Sequence, residues 1–164
     1  MNKPRKTVIQ YLILAVATGL GLGLMPVASG TFGSLLGIPL VIWLSKQPLV
    51  VQIVVAQLLA ILAIPICHAA EKILGGRKDD GRIVADEWML LPIAAIGLPV
   101  SKHPWLLIPV FLVARLCDII KPPPARGLQK LNGGLGIVID DYIAAWYALG
   151  VNWVIWLVWQ GAAG

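Results

Sequence analysis

The sequence predicts an all-α, helical integral membrane protein, and three observations support that prediction. A length of 164 residues fits a single domain, which we expect to span residues 1–164. Hydrophobic residues make up 59% of the chain and charged residues 13%, whereas about a quarter of a soluble domain is charged. Two uncharged stretches, 47–70 and 142–164, reach the roughly 20 residues that a helix needs to cross a bilayer. The alternative is an unusually apolar soluble helical domain.

Apolar runs, with the glycines and prolines that interrupt them, indicate about five to six helices. In chain order, we expect helices at residues 8–20, 34–45, 49–74, 87–99, 105–120 and 138–160. Gly75 and Gly76 should end the longest of these, and Pro122-Pro123-Pro124 must end helix 105–120. The first 30 residues also resemble a signal peptide, but their glycines favour an apolar or interfacial segment at 8–24.

The arrangement of these helices follows from where the polar stretches fall. We expect two helical hairpins, 34–45 with 49–70 and 87–99 with 104–118, so that the polar loops gather on one side of the membrane. That side would hold all but two of the 13 Lys and Arg residues. Because cytoplasmic loops carry the excess of basic residues, the polar side is predicted to face the cytoplasm. Some of these helices are shorter than the bilayer core, so the hairpins need not cross it fully.

Most of the acidic residues lie beside apolar helices, where a charge is costly to desolvate. The carboxylates in such positions are Asp86, Glu87, Asp118, Asp140 and Asp141. A hydrated divalent metal ion together with a phosphate group would compensate both these acids and the nearby cations. The structural alternatives are an internal ion pair between Arg115 and Asp118, and acids that simply favour a helix N-terminus.

Other classes of site have little support in the sequence. No nucleic-acid-binding motif occurs, and a net charge of +5 fits membrane topology and attraction to anionic lipid better than nucleic-acid binding. Cys67 and Cys117 lack the spacing of a zinc site or disulfide and are predicted to be core thiols. In the loop expected at 25–34, Gly30 and Gly33 would let backbone N–H groups approach an anion.

Four motifs in order resemble the phosphatidylglycerophosphatase A family. They are GTFGS at 30–34, GRIVADE at 81–87, RLCDIIKPPPAR at 115–126 and GGLGIVIDD at 133–141. The resemblance implies a magnesium-dependent lipid phosphatase of the bacterial inner membrane, multi-pass, with its active site facing the cytoplasm. It would convert phosphatidylglycerophosphate to phosphatidylglycerol and phosphate. Ser29, Leu90 and Ala145 depart from residues usual in the family, but every acidic motif position is filled.

The resemblance and the residue chemistry together suggest roles. Expected magnesium ligands or close supporters are Asp86, Glu87, Asp118, Asp140 and Asp141, with Asp80 as a further candidate. Catalytic roles are expected for Asp86, Arg115, Asp118, Lys121 and Asp141. Expected substrate-binding residues are Thr31, Ser34, Arg115, Lys121, Arg126 and Lys130, the last two holding the headgroup's bridging phosphate or anionic lipid.

Two questions stay open at the level of sequence. The nucleophile is expected to be a metal-activated water, with an aspartyl-phosphate route through Asp86 or Asp118 as the alternative. A small membrane transporter, or a non-catalytic scaffold with an intramembrane ion-pair cluster, would also place charges among apolar helices. A transporter should show inverted repeats or charges at mid-membrane depth, whereas here the charges cluster at helix ends.

Overall fold

A computed structural model describes residues 6–77, 80–128 and 133–163, and these ranges contain helices and no β-strand. The α-helices are α1 (Val8–Ala17), α2 (Ser29–Leu35), α3 (Gly37–Leu44), α4 (Leu49–Leu74), α5 (Ala85–Leu90), α6 (Leu107–Ile120), α7 (Ala125–Leu128) and α8 (Gly134–Ala163). Short 3-10 segments occur at Leu22–Leu24, Leu91–Ala95 and Pro104–Leu106. The predicted all-α class is therefore confirmed.

Local sequence signals explain several helix ends. The side chain of Thr7 accepts a hydrogen bond from the backbone of Gln10 and the side chain of Gln10 accepts one from Thr7, a capping box that begins α1. Helix α4 ends at Leu74 and is followed by Gly75, whose φ of 117° is accessible to glycine at little cost. The expected helix 49–74 therefore has the predicted bounds.

The prediction for two other segments was wrong. Residues 29–34 were expected in a loop, but α2 begins at Ser29, and α3 follows with only Leu36 between them. Segment 87–99 is not one continuous α-helix, because α5 ends at Leu90 and a 3-10 segment follows. Pro92 has no backbone N–H to donate and favours that change, and the chain is extended by Ile96.

Helices α4 and α8 are the long elements that position the site. The Gly134 amide donates to His68 Nδ1 at 3.4 Å, and the Tyr142 hydroxyl donates to Gln57 Oε1 at 2.7 Å, so the two helices run antiparallel. A Cβ at Gly134 would lie 2.0 Å from the Ile64 carbonyl oxygen, so glycine permits the close approach. Because α8 begins earlier than predicted, Asp140 and Asp141 lie in its second turn rather than at its start.

Two helices in the described ranges, α4 and α8, are long and apolar enough to cross a membrane. Only 22% and 28% of the residues in their most apolar stretches are buried inside the protein. Large apolar side chains such as Ile61 and Val158, 62% and 67% exposed, lie on their outer surfaces. Exposed apolar surface of this kind is typical of a membrane or partner contact, so the structure is compatible with membrane association.

Candidate active site

Arg115 of α6 joins three elements at the end of the bundle where α2 and α5 meet. Its Nη1 donates to Asp118 Oδ2 at 2.9 Å, to Glu87 Oε2 at 3.1 Å and to Ser34 Oγ at 3.2 Å. The Arg115–Asp118 pair has the expected i, i+3 spacing. Arg115, Glu87 and Asp118 are at most 17% exposed, so attraction between opposite charges here is less screened than on an open surface.

The two glycines of GTFGS allow α2 to lie directly against α5. A Cβ at Gly30 would be 2.1 Å from Glu87 Oε1, and a Cβ at Gly33 would be 2.5 Å from Val84 Cβ. These glycines therefore serve helix packing and not the anion-binding loop expected from the sequence. The Ser34 hydroxyl takes part in the same contact between helices: its Oγ lies 2.8 Å from the Gly30 carbonyl oxygen and 3.2 Å from Glu87 Oε2.

Four carboxylates form the shared wall of two cavities. Asp86, Glu87, Asp118 and Asp141 line a small cavity of about 30 Å³, together with Ser34, Arg115 and apolar residues of α5, α6 and α8. The same four line a wider cavity of about 220 Å³, which Ser29, Gly81 and Lys121 also line. The three sequence motifs that supply these acids are thus brought to one place, as predicted.

The local electrostatics disfavour negative charge on Asp86 and Glu87. Burial raises the pKa of Asp86 well above its ordinary value, and the charges of Glu87 and Asp118 raise it further. Burial also raises the pKa of Glu87 to about 7, although the positive charge of Arg115 opposes that shift. Within the described ranges these acids outnumber the cations that contact them, an arrangement that favours binding of a positively charged ligand.

Lys121 supplies a second cation at the end of α6. Its Nζ is hydrogen-bonded to Asp140 Oδ2. Burial opposes the charge on Lys121, but the hydrogen bond to Asp140 and the negative charge of Asp141 outweigh it, so the pKa rises to about 12. Asp140 is only 2% exposed, and it does not line either carboxylate cavity. The structure therefore places Asp140 as the partner of Lys121, one residue before the cavity-lining Asp141.

Comparison with known proteins bears on what this arrangement does. The family model described as phosphatidylglycerophosphatase A matches residues 15–156. The chain belongs to the phosphatidylglycerophosphatase A family. It is therefore an enzyme of the phosphatase class, and the resemblance stated from the four motifs is confirmed.

Curated relatives extend over most of the chain. Phosphatidylglycerophosphatase A of Escherichia coli is 33% identical over 88% of this chain and 83% of its own length. That of Haemophilus influenzae is 36% identical over 94% and 95%. A Bacteroides thetaiotaomicron protein named "Putative phosphatidylinositol-3-phosphatase" is 30% identical over 84% and 89%. No solved structure gives a significant match.

Some residues expected in the phosphatidylglycerophosphatase site are not brought to the cavities. Thr31 lies in α2 and does not line either carboxylate cavity. Arg126 is exposed, and its Nε donates to the Ile120 carbonyl oxygen at 3.0 Å. Asp80 is engaged by Arg82 at 2.5 Å and does not line those cavities. Lys130 lies outside the described residues.

The donors present fit magnesium in chemical type. The cavity wall offers carboxylate oxygens, the ligands that Mg²⁺ prefers, and the described ranges bring no His or Cys to it. Among the residues described, no three acid, His or Cys side chains are already arranged to hold one ion. Glu87 and Asp118 are instead held by Arg115, so a bound ion would have to draw them from that guanidinium.

One residue of the GRIVADE motif was not assigned a role from the sequence. Arg82 lies beside the cavities and forms a two-point contact with Asp80. The Ser29 hydroxyl donates to the Gly81 carbonyl oxygen at 2.7 Å, which ties α2 to this motif. The only signal in the sequence was the position of Arg82 inside a motif whose acids were already under consideration.

Proposed function

We propose that this protein hydrolyses the terminal phosphate monoester of phosphatidylglycerophosphate in a magnesium-dependent reaction. The products would be phosphatidylglycerol and inorganic phosphate. The observation that supports this most strongly is the cavity wall of Asp86, Glu87, Asp118 and Asp141, with Arg115 and Lys121 beside it. Acids for a metal ion and cations for a phosphate are the two requirements of this chemistry.

Each side chain has a role in this proposal. Asp86, Glu87, Asp118 and Asp141 would hold one or two magnesium ions, and Asp140 supports the site by orienting Lys121. Bound magnesium would polarise the phosphate and lower the pKa of a water molecule. Arg115 and Lys121 bind the phosphate oxygens, Arg115 through its fork and Lys121 as a point charge. The Ser34 hydroxyl donates a hydrogen bond to Glu87 and accepts one from Arg115, which holds these two side chains in position.

Hydrolysis needs one bond to form and one to break. A water oxygen attacks phosphorus, the bond from phosphorus to the glycerol oxygen breaks, and the released oxygen takes a proton. The alternative is attack by the Asp86 or Asp118 carboxylate, followed by hydrolysis of the aspartyl phosphate. Single-turnover reactions quenched in acid distinguish the two, because only the second route leaves phosphate on the protein.

The fold also supports a location at a membrane surface. From Tyr142 to Ala163, α8 continues for about 33 Å beyond Asp141, close to the roughly 30 Å thickness of the hydrocarbon core. If this part of α8 spans the membrane, the site around Asp141 lies near one end of the span, where a lipid headgroup can reach it. We propose a multi-pass protein of the bacterial inner membrane whose site faces the cytoplasm, following the distribution of basic residues.

Phosphate release from the purified protein tests this function. The substrates are phosphatidylglycerophosphate, phosphatidic acid and phosphatidylinositol 3-phosphate, each with and without magnesium. The last is included because of the name of the Bacteroides relative. The proposal predicts that phosphatidylglycerophosphate is preferred and that magnesium is required. Preference for the inositol lipid would reassign the substrate, and failure to hydrolyse any of the three would reject the function.

A further inference from the structure

A third cavity adjoins the carboxylate site and is lined by basic residues. It measures about 460 Å³, and its lining includes Arg77, Asp80 and Arg82. Ser29 and Gly81 line both this cavity and the wider carboxylate cavity. Their hydrogen bond of 2.7 Å therefore forms part of the wall between the two spaces. A ligand could extend across this wall from one space into the other.

Arg82 is held in place for binding. Its Nε donates to Asp80 Oδ1 at 2.8 Å and its Nη2 to Asp80 Oδ2 at 2.5 Å, while its Nη2 also lies 3.4 Å from the Leu74 carbonyl oxygen. Asp80 is 7% exposed and Arg82 is 46% exposed. Exposed ion pairs add little to stability. A guanidinium fixed in this way, however, loses little conformational freedom when it binds a second anion.

We propose that the third cavity binds the phosphodiester group of the lipid substrate and that Arg82 is a specificity-determining residue. This inference rests on the proposed function, because that substrate carries two phosphates separated by a glycerol. The terminal monoester would lie in the wider carboxylate cavity, beside Lys121. The diester would lie in the third cavity, on the other side of the Ser29–Gly81 hydrogen bond and near Arg82. Among the described lining residues, the two cations Arg77 and Arg82 outnumber the one carboxylate, Asp80. Arg126, one of the two residues expected from the sequence to hold this phosphate, instead donates to the Ile120 carbonyl oxygen, and the other, Lys130, lies outside the described residues.

The chemistry of the lipids provides the test. Phosphatidic acid carries the monoester without the diester, and phosphatidylglycerol carries the diester without the monoester. Arg82→Gln, in the full-length protein in neutral detergent micelles, should lower kcat/KM for phosphatidylglycerophosphate about ten-fold, mainly through KM, as expected for loss of one charge-assisted contact. The rate with phosphatidic acid should stay within about two-fold of wild type.

Inhibition by the product gives a second measurement that does not depend on turnover of phosphatidic acid. Arg82→Gln should weaken inhibition by phosphatidylglycerol about ten-fold and leave inhibition by inorganic phosphate unchanged. Arg82→Lys should restore part of the affinity, since it keeps the charge without the fork. The matched control is Lys102→Gln, which removes one exposed cation at the turn before the 3-10 segment Pro104–Leu106, away from these cavities.

Several results would overturn the inference. An equal loss with both substrates would show that Arg82 supports the fold or the catalytic wall. Weaker inhibition by inorganic phosphate would show that the cavity holds the released phosphate. Loss of discrimination in Arg126→Gln but not in Arg82→Gln would move the diester to the other cation. If the wild-type protein releases no phosphate from phosphatidylglycerophosphate, the proposed function itself is refuted. If the wild type is active and Arg82→Gln keeps the same preference between the two substrates, only the role of Arg82 is refuted.

Discussion

Gly30→Ala should lower activity more than stability, because the three atoms nearest the added methyl group all belong to Glu87, one of the proposed metal ligands. Its Cβ would lie 2.1 Å from Glu87 Oε1 and 2.7 Å from Glu87 Oε2. Contacts below 3.0 Å are essentially never seen for real Cβ atoms, so the carboxylate must move by about 1 Å. That movement weakens the contacts of Glu87 with Arg115 at 3.1 Å and with Ser34 at 3.2 Å.

The expected cost to stability is small. Weakening charged hydrogen bonds at a mostly buried site costs about 1.5–3 kcal/mol. Alanine in place of glycine within α2 returns about 0.8–1 kcal/mol of helix propensity. The net loss of about 0.5–2 kcal/mol corresponds to a decrease in Tm of a few degrees for a domain of this size. Activity should fall far more, by about 100-fold, because a displacement of about 1 Å at a catalytic group has an effect of that size.

The assay combines phosphate release with thermal unfolding in the same detergent. Gly150→Ala is the matched control, since a Cβ there meets no atom within 4 Å and the position lies within α8. Gly33→Ala is the contrasting variant: its Cβ would lie 2.5 Å from Val84 Cβ, next to the backbone, so it should lower Tm more than Gly30→Ala does. Wild-type activity in Gly30→Ala, or an equal loss in Gly150→Ala, would refute the placement of Glu87 in the site.

Further variants and conditions test the proposed roles. Asp118→Asn and Asp141→Asn should each abolish phosphate release while the protein still inserts into membranes; near-normal turnover in either would remove that residue from the metal site. Excess EDTA should stop the reaction and magnesium should restore it, and activity that persists in EDTA would reject the metal mechanism. Magnesium should raise Tm of the wild type more than that of Asp118→Asn, because a ligand that binds only the folded state stabilises it. Asp80→Asn should lower Tm at neutral pH, because the hydrogen bond from Arg82 lowers the pKa of Asp80 in the folded protein. The ionised Asp80 therefore stabilises the fold at pH values above its unfolded pKa of about 4, and this stabilisation is lost as the pH falls through the pKa of Asp80 in the folded protein. A difference in Tm that stays constant down to strongly acidic pH would contradict this assignment.

The sequence predicted the parts of the site that depend on local spacing. Arg115 and Asp118 are three residues apart on one helix, so their contact follows from helix geometry. Asp86 and Glu87 begin an apolar helix in the structure as they were expected to. The convergence of three acidic motifs was predicted from their shared placement at helix ends, and the cavities bear it out.

The parts that sequence analysis missed depend on contacts between distant residues. The glycines at 30 and 33 suggest a loop when only the local sequence is considered, yet they lie in α2. Glycine is needed at both positions because Glu87 and Val84 of the neighbouring segment leave no space for a side chain. Asp140 and Asp141 are adjacent and chemically alike in the sequence. Their different roles depend on Lys121, which lies nineteen residues before Asp140 in the sequence. Asp140 pairs with this lysine, whereas Asp141 lines the cavity. Arg126 was assigned to phosphate by its charge, but the end of α6 offers its guanidinium a carbonyl instead.

The charge balance of the site argues against a purely structural ion-pair network. Within the described ranges, Arg115 pairs with Glu87 and Asp118, and Lys121 pairs with Asp140. Asp86 and Asp141 are buried against these acids, and no salt bridge to either is found in that part of the chain. A network selected for stability would be expected to have apolar residues at such positions, since a buried acid without a cationic partner is costly whether it is charged or neutral. Retaining them is reasonable where a divalent cation binds, because one ion then compensates two carboxylates, and Arg115 is released toward an incoming phosphate.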